Sequence, residues 1–248
     1  MCSDSVAPWA EPPNLSPIAM PDQSILNALA SFDSATVQNA AILVRGYIDA
    51  DQDYTGPDLH QYVSAGGPVA VGYAVTSTWT PISDPTGDGA ETVYSSYNTY
   101  WDALAAVGAA SIGVLQDVDK TARRGAMIGD CMATTMKAMG SVGAVVDGCA
   151  RDVPGIEEAG LSLWATGRVP GHGPFTLLSV GEPVTIADLV IRNGDILVCD
   201  HDGVTRLSPD IAPDVVQACH EVRAKEDAVK AVFLAPGFDL PTWQSTRD

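Results

Sequence analysis

Two short motifs in this chain carry residue types that could perform chemistry. Gly129-Asp130 stands where a loop enters a predicted helix, and Arg151-Asp152 follows a short apolar run. A helix N-terminus presents unpaired N–H groups and a partial positive charge, so it can bind a carboxylate or phosphate. Taken alone, Asp130 is better explained as a helix N-cap, and an Arg-Asp pair is usually a surface feature without function.

The two motifs together favour a more specific chemistry. If the helix that starts at Cys131 returns to the strand at 142–146, both turns lie near one edge of the sheet. Two carboxylates suit a hard divalent cation such as Mg²⁺ or Mn²⁺. The arginine and the helix-end amides suit a substrate carboxylate. This combination predicts a metal-assisted enzyme acting on a 2-oxo acid.

The elements that must position these residues can be predicted from hydrophobic periodicity. Short apolar runs at 110–116, 142–146 and 195–198 are each followed by an aspartate, and the first two flank a helical pattern at 131–139. This order predicts a βαβ unit whose strands are apolar on both faces. A further strand is predicted at 68–76. Helices are predicted over 22–43, with Ser34 as an internal N-cap, and over 97–107 and 213–232.

The outer parts of the chain are predicted to be irregular. Five prolines within residues 1–21 predict an extended N-terminal arm, and residues 22–248 are predicted to form a single α/β domain. Residues 49–66 and 81–96 contain acidic, Gly- and Pro-rich stretches and are interpreted as solvated loops that could reshape a substrate pocket. The dipeptide Asp202-Gly203 predicts a hairpin turn, which we prefer to a metal cluster around His201.

Composition limits the class of protein and its partners. The chain has 31 acidic against 13 basic residues and a net charge of −18, which argues against nucleic acid as a partner. It has five cysteines without a C-x-x-C pair, and no basic segment followed by an apolar run at its start. Its apolar runs are shorter than the roughly 20 residues needed to cross a bilayer. These features predict a cytoplasmic protein with no membrane partner.

Several longer stretches resemble a known family, that of the regulator of ribonuclease activity A and the 4-hydroxy-4-methyl-2-oxoglutarate aldolases, which are class II pyruvate aldolases. The resemblance covers roughly residues 22–230. Its core is the Gly-Asp turn, a glycine-bounded strand and the sequence Asp-Gly-x-x-Arg-Asp. The matching stretches are GYAVT (72–76), ARRGAMIGDCMATTMKAMGSVGAVVDGCARD (122–152), LWATG (163–167), IRNGDILVCDHDGVTRLSP (191–209) and RAKED (223–227).

The resemblance implies a fold, an assembly and an activity. The implied fold is α/β, with a central β-structure containing βαβ units wrapped by helices, in the swivelling β/β/α manner, and a C-terminal helix. The implied assembly is a homotrimer or a dimer of trimers with sites between subunits. The implied activity is that of a metal-dependent lyase that cleaves a 4-hydroxy-2-oxo acid to pyruvate, with oxaloacetate decarboxylase activity. Both reactions pass through a pyruvate enolate.

The resemblance also implies a role for each motif residue. Asp152 would hold Mg²⁺ or Mn²⁺, largely through water, and Glu226 or Glu221 of a neighbouring subunit would support the metal. Arg151 would bind the pyruvyl carboxylate and carbonyl oxygen. The turn at Gly129 and the amides of Cys131 and Met132 would bind the carboxylate. Asp130, with a water, would relay the hydroxyl proton.

Three points remain open at this stage. Thr166 follows Trp164-Ala165 where family members commonly have a basic residue, which leaves the substrate uncertain. Cys131 and Cys149 flank the site, and we expect buried neutral thiols rather than zinc ligands. The alternatives to the lyase are a non-catalytic protein that regulates a ribonuclease, for which the acidic surface is suited, or a related enzyme acting on another oxo acid.

Overall fold

The computed structural model describes residues 21–47, 53–82, 89–119 and 124–245. Its helices are α1 (Gln23–Leu29), α2 (Ser34–Arg45), α3 (Gly89–Ala105), α4 (Asp130–Ala138), α5 (Val153–Glu158), α6 (Ala212–Leu234) and α7 (Leu240–Ser245). Its strands are β1 (His60–Val63), β2 (Ala70–Pro81), β3 (Ser111–Asp117), β4 (Ala126–Ile128), β5 (Ser141–Ala150), β6 (Ser162–Arg168), β7 (Phe175–Val180), β8 (Val184–Ile186), β9 (Leu189–Ile191), β10 (Ile196–Asp200) and β11 (Gly203–Leu207).

Nine of these strands form one mixed sheet. Its order is β1-β6-β5-β3-β2-β10-β11, with β4 added to β5 and β7 added to β2, while β8 and β9 form a separate hairpin. The sheet is nearly closed on itself: the buried indole Nε1 of Trp164 in β6 donates to the carbonyl oxygen of Asp200 in β10, 2.6 Å away. The α/β class predicted from the sequence is therefore confirmed.

The sheet is buried on both faces. Along β10, the side chains of Ile196 and Val198 join the core beneath the helices, and those of Leu197 and Cys199 join a second core beneath the β8–β9 hairpin. Successive residues of a strand point to opposite faces, so a strand covered on both sides needs apolar residues at nearly every position. This explains the continuous apolar runs in the sequence.

The predicted βαβ unit is present. Strands β3 and β5 pair in parallel, and α4 connects back to β5. β5 runs to Ala150, four residues beyond the predicted end, so Asp147-Gly148 lies within the strand rather than in a turn. The pairing of β5 with β6 shifts register between Val146 and Cys149, which accommodates the Asp-Gly pair without ending the strand.

The prediction that Ser34 caps a helix is wrong by one residue. Asp33 is the N-cap of α2, and its carboxylate accepts from the amide of Thr36 at 2.7 Å. Ser34 instead donates its amide and hydroxyl to the buried carboxylate of Asp200, at 2.7 and 2.8 Å. Aspartate and serine are both favourable N-cap residues. Because Ser34 is hydrogen-bonded to Asp200, Asp33 is the residue that caps the helix.

Both predicted loops contain regular structure. Residues 60–63 form β1, and Asp53 is fully buried and ion-paired with Arg45 rather than solvated. In the second loop, α3 starts at Gly89, eight residues before the predicted helix start. Residues 48–52 and 83–88 lie outside the described residues, as does the predicted N-terminal arm as far as residue 20.

The C-terminal helix is close to its prediction. α6 spans Ala212–Leu234, and its side chains Val215, Cys219 and Val222 are buried against the helical core. Its second half is exposed. Among the described residues, no helix combines the length and the apolar character that crossing a membrane requires.

Candidate active site

The two predicted motifs lie side by side. β4 pairs in parallel with the last residues of β5, with Ala126 opposite Cys149 and Ile128 opposite Ala150. The amide of Arg151 then donates to the carbonyl oxygen of Ile128 at 3.0 Å. Because these two strands end together, the turn after β4 and the turn after β5 open at the same edge of the sheet, as the sequence predicted.

Gly129 is where the two turns come closest. A β-carbon at this position would lie 2.9 Å from Asp152 Oδ2 and 3.4 Å from Arg151 Nε. The backbone of Gly129 is extended, with φ −135° and ψ −170°, a conformation open to any residue. A side chain at residue 129 would therefore displace the Asp152 carboxylate, whereas the backbone conformation itself does not require glycine.

Asp130 is not the N-cap of α4, contrary to the simplest prediction for it. Gly129 occupies the cap position, and no side chain caps the helix. The exposed carboxylate of Asp130 accepts from the amide of Cys131 at 2.7 Å through Oδ1. The β-carbon of Asp130 lies close to Gly155 of α5: a β-carbon added to that glycine would be 2.7 Å from it. The Cys131 amide, predicted to bind substrate, thus has a partner in this chain already.

Asp152 has an unusual backbone. Its φ of 54° and ψ of 38° place it in the left-handed region, which for a residue other than glycine costs roughly 1 kcal/mol or more. It occupies the N-cap position of α5, yet its side chain caps nothing. The carboxylate instead lies 3.1 Å from Nε of Arg151, with the two side chains 44% and 33% exposed. The carboxylate is therefore accessible to a ligand.

The donor set around Asp152 is compatible with a hard divalent cation. Mg²⁺ is commonly held by one or two carboxylates and keeps several waters. Asp152 offers one accessible carboxylate, and the cluster of three potential ligands found among the described residues does not include it; a lone carboxylate oxygen suits Mg²⁺ or Mn²⁺ better than zinc. Within one chain this would be a water-rich site with a single protein ligand.

A cluster of three potential metal ligands occurs elsewhere. In the described part of the chain, ligand atoms of Asp200, His201 and Asp202 lie within 4.8 Å of one another. The predicted β10–β11 hairpin is present, but its two-residue turn is His201-Asp202, one residue before the predicted Asp202-Gly203, because Gly203 pairs with Asp200 and begins β11. The carboxylate of Asp200 already accepts from Ser34 and from the amide of Asp202, which explains its presence without a metal.

Glu226 does not reach the candidate site within one chain. It lies on α6, which packs against α1 and α2, and its carboxylate accepts from Lys230 Nζ at 3.3 Å. Neither cavity beside Arg151 is lined by Glu226 or Glu221. A contribution from a neighbouring subunit stays a prediction.

A cavity of about 270 Å³ gathers most of the predicted residues. Gly129, Asp130, Cys131, Met132 and Arg151 all line it. The remaining lining residues were not predicted, and they come from α3, β4, α4 and the loop before β7: Tyr97, Trp101, Ala126, Met127, Thr135, His172 and Gly173. The aromatic stripe of α3 was visible in the sequence, but nothing there indicated that it faces this cavity.

A second, more open cavity of about 670 Å³ lies on the other side of Arg151. Asp152 lines it, together with Tyr62 of β1 and Arg168 of β6. The guanidinium of Arg168 lies 4.8 Å from the ring centroid of Tyr62, within cation–π distance. Arg151 thus borders both cavities.

Thr166 occupies the position at which a basic residue was expected. It is buried, and its hydroxyl accepts from the amide of Gly148 at 3.0 Å, so it supports the irregular part of β5. The nearest basic residue on this strand is Arg168, two positions later. Residues two apart on a strand point to the same side, so the basic group is displaced along the strand.

The prediction of buried thiols is half right. Cys149 is 2% exposed, whereas Cys131 is exposed at the start of α4 and lines the smaller cavity. Cys131 is the second residue of α4, at the exposed start of the helix, while Cys149 lies within the buried strand β5.

Comparisons with known proteins show the family and the fold. A family model described as RraA-like, Aldolase/RraA, matches residues 44–206. Uncharacterized protein MJ0644 of Methanocaldococcus jannaschii is 27% identical over 152 residues, which are 60% of this chain and 73% of that protein. A "Putative 4-hydroxy-4-methyl-2-oxoglutarate aldolase" of Halalkalibacterium halodurans is 28% identical over 104 residues, 42% of this chain and 50% of that protein.

Among solved structures, Streptomyces coelicolor RraAS2 superposes with a TM-score of 0.63. It is described as an unusual member of the RNase ES inhibitor RraA protein family. The match covers 85% of this chain and 97% of that one at 23% identity, so it supports the fold alone.

Proposed function

The chain belongs to the RraA-like, Aldolase/RraA family, and we propose that it is a divalent-metal-dependent lyase that cleaves a 4-hydroxy-2-oxo acid to pyruvate. The observation that carries this proposal is the contact between the Gly129-Asp130 turn and the Arg151-Asp152 pair. The contact brings Asp130, Arg151 and the N-terminus of α4 to the smaller cavity, and it brings Asp152 to the larger cavity that Arg151 also lines. The named relative from Halalkalibacterium halodurans suggests the 4-hydroxy-4-methyl-2-oxoglutarate type of substrate.

Asp152 is the residue we expect to hold the metal. Its carboxylate is accessible, has no capping role and lines the larger cavity beside Arg151. When bound, Mg²⁺ or Mn²⁺ supplies a Lewis acid that stabilises negative charge on an enolate oxygen. If the chain forms a trimer or dimer of trimers as its resemblance implies, Glu226 of a neighbouring subunit would complete the site.

Arg151 is expected to bind the 2-oxo acid end of the substrate. A guanidinium presents several N–H donors in one plane and can bind a carboxylate and a carbonyl oxygen together. Nε of Arg151 points to Asp152, which orients the group. The same positive charge would stabilise the pyruvate enolate as it forms.

Asp130 is expected to act, through a water, on the C4 hydroxyl. It would accept the hydroxyl proton while the C3–C4 bond breaks, and the bonding electrons would pass to the enolate of pyruvate. The other product leaves as an aldehyde or ketone, and the enolate takes up a proton at C3. Binding of the substrate carboxylate at the α4 amides would require Asp130 Oδ1 to release the Cys131 amide.

Decarboxylation of oxaloacetate is an expected second activity. Loss of CO₂ from C4 of oxaloacetate leaves the same pyruvate enolate, so Arg151 and the metal would stabilise it equally. This reaction requires no removal of a hydroxyl proton. Asp130 should therefore matter less for it.

The proposal is tested by measuring pyruvate release from 4-hydroxy-4-methyl-2-oxoglutarate. We expect EDTA to abolish the activity, Mg²⁺ or Mn²⁺ to restore it, and Asp152→Ala to remove it. Asp202→Ala is a matched control, because Asp202 is an exposed acid in the other candidate cluster. Activity that survives chelation, or that survives Asp152→Ala and is lost in Asp202→Ala, would contradict the metal role of Asp152.

The competing function is that of a non-catalytic regulator of a ribonuclease. The net charge of −18 favours a basic protein partner. This function would not require Arg151 and Asp152. Tight ribonuclease binding by an Arg151→Ala, Asp152→Ala double variant, together with no pyruvate release by the wild type, would reverse the assignment.

A further inference from the structure

Arg168 lies beside the Arg151-Asp152 pair, on the neighbouring strand. β5 and β6 are parallel, and Ala150, the residue before Arg151, is the register partner of Arg168. The amide of Val169 donates to the carbonyl oxygen of Ala150 at 3.1 Å, which ties the two strand ends together. Neighbouring strands lie about 4.8 Å apart. Two long arginine side chains therefore start from adjacent points of the sheet and can reach the two ends of one small ligand.

The larger cavity is lined by both arginines and by Asp152. Among the described residues around it, Arg151 and Arg168 supply two guanidiniums and Asp152 supplies one carboxylate. This lining carries more positive than negative charge, in a chain whose net charge is −18. An anion that the rest of the surface repels is attracted to such a pocket. We propose that Arg168 binds the distal carboxylate of a 2-oxo dicarboxylic acid, an inference that rests on the proposed lyase function.

The ring of Tyr62 holds the guanidinium of Arg168. Tyr62 is half-buried on β1, which pairs with β6, and the guanidinium carbon lies over its ring, 4.8 Å from the centroid. A cation in this position is attracted to the ring face, while the N–H donors of a guanidinium remain free to bind a carboxylate. The ion pairs of the described residues do not include Arg168. Arg168 is therefore placed in advance for an anionic ligand, which lowers the entropic cost of binding.

The position of Arg168 agrees with the proposed reaction. In a substrate of the 4-hydroxy-4-methyl-2-oxoglutarate type, C4 carries both the hydroxyl group and the distal carboxylate. Arg151 borders both cavities, while Asp130 lines the smaller and Arg168 the larger. A substrate bound at Arg151 by its 2-oxo acid end would present its hydroxyl group to Asp130 and its distal carboxylate to Arg168. That carboxylate stays on the departing aldehyde or ketone, so Arg168 determines which substrate binds and takes no part in proton transfer.

Binding of two non-cleavable ligands tests the inference. Isothermal titration in Mg²⁺ would compare 2-oxoglutarate with 2-oxopentanoate, which have the same chain length and differ only in a distal carboxylate or methyl group. We expect 2-oxoglutarate to bind at least about tenfold more tightly, as for hydrogen bonds to a charged group. Arg168→Ala should weaken 2-oxoglutarate binding by a similar factor and leave 2-oxopentanoate binding unchanged. Arg168→Lys keeps the charge but not the two-pronged donor geometry, so it should retain part of the affinity.

Arg192→Ala is the matched control for the loss of one positive charge. Arg192 is exposed directly after β9 and lines neither cavity beside Arg151. Its replacement should leave the affinity for both ligands unchanged. An equal loss of 2-oxoglutarate affinity in Arg192→Ala and Arg168→Ala would show a general charge effect and would overturn the inference.

The outcomes separate this inference from the proposed function. Equal binding of the two ligands by the wild type, or 2-oxoglutarate binding that survives Arg168→Ala, would overturn the inference and leave the lyase function intact. The wild-type comparison and Arg168→Lys decide this even if Arg168→Ala does not fold. Selection of 2-oxoglutarate through Arg168, without pyruvate release from any 4-hydroxy-2-oxo acid, would support the ligand class and contradict the lyase. Failure of both ligands to bind at millimolar concentration would overturn the inference and the proposed function together.

Discussion

Gly129 lies against the carboxylate of Asp152, so that any side chain at residue 129 would displace this carboxylate. A β-carbon at residue 129 would lie 2.9 Å from Asp152 Oδ2, closer than such atoms approach in proteins. The contact joins the turn after β4 to the turn after β5. It therefore links the amides proposed to bind the substrate carboxylate with Asp152, the proposed metal ligand. It offers a way to disturb the site without removing any of its functional groups.

Gly129→Ala is expected to lower pyruvate release by about 100-fold, since displacement of a positioning group by about 1 Å can cost that much. The fold should survive, because the backbone of Gly129 is extended. Circular dichroism and kcat/KM would be measured together. Gly171→Ala is the matched control: its β-carbon would meet nothing within 4 Å, although its carbonyl oxygen accepts from the amide of Ala126, which lines the same cavity. Full activity in Gly129→Ala would show that the contact is not required.

Asp130→Asn is expected to separate the two lyase reactions. Asparagine can still accept from the Cys131 amide but cannot take up a proton, so aldol cleavage should fall by about 10²–10⁴-fold. Oxaloacetate decarboxylation needs no hydroxyl proton removed and should fall much less. Rates for both substrates would be compared in the same preparation. An equal loss in both reactions would contradict the proton-relay role of Asp130.

Cys131 is expected to be the fastest-reacting thiol of the described chain. It is exposed, whereas Cys149, Cys199 and Cys219 are buried. Burial raises the pKa of Cys219 to about 11 and that of Cys199 well above its ordinary value, so these thiols are protonated and unreactive at pH 8.

In a Cys2→Ser background, iodoacetamide should therefore modify one thiol rapidly at pH 8. Mass spectrometry would identify it, and pyruvate with Mg²⁺ should slow its modification because Cys131 lines the cavity. If saturating pyruvate leaves the rate of Cys131 modification unchanged, pyruvate does not bind in the cavity that Cys131 lines.

Asp33→Ala is expected to reduce stability in a pH-dependent way. Partial burial raises the pKa of Asp33, but hydrogen bonds from Thr36 and the charge of Arg223 outweigh it, so the net pKa is lowered. A lowered pKa stabilises the fold above the unfolded-state value near 3.8, and this contribution is lost as the pH falls through the folded-state pKa.

Urea unfolding at pH 7 should show a loss of about 1 kcal/mol in Asp33→Ala, as for other N-caps. At pH 3 the difference from the wild type should shrink. Asp58→Ala, at an exposed loop position, should stay within about 0.5 kcal/mol of the wild type at both pH values. If Asp33→Ala lowers the free energy of unfolding by the same amount at pH 3 and at pH 7, the charge of Asp33 contributes nothing to stability.

Much of the fold could be predicted because its strands are covered on both faces. Continuous apolar runs flanking a helical pattern are the local pattern of a parallel βαβ unit, and β3, α4 and β5 follow it closely. Strand β4 was missed because three residues carry no periodicity, and it is held by its pairing with β5. β1 was missed for the same reason, since four residues of mixed polarity pair with β6 only in the folded chain.

The amino-acid sequence by itself determined which groups are available at the site: the Gly-Asp turn, the Arg-Asp pair and the family to which they point. Tertiary structure alone decided how those groups meet. The approach of Gly129 to Asp152, the left-handed backbone of Asp152 and the position of Tyr97 and Trp101 beside the smaller cavity all depend on contacts between segments far apart in the chain. Local sequence patterns report the intrinsic preferences of neighbouring residues, whereas such contacts are fixed only when the whole core packs.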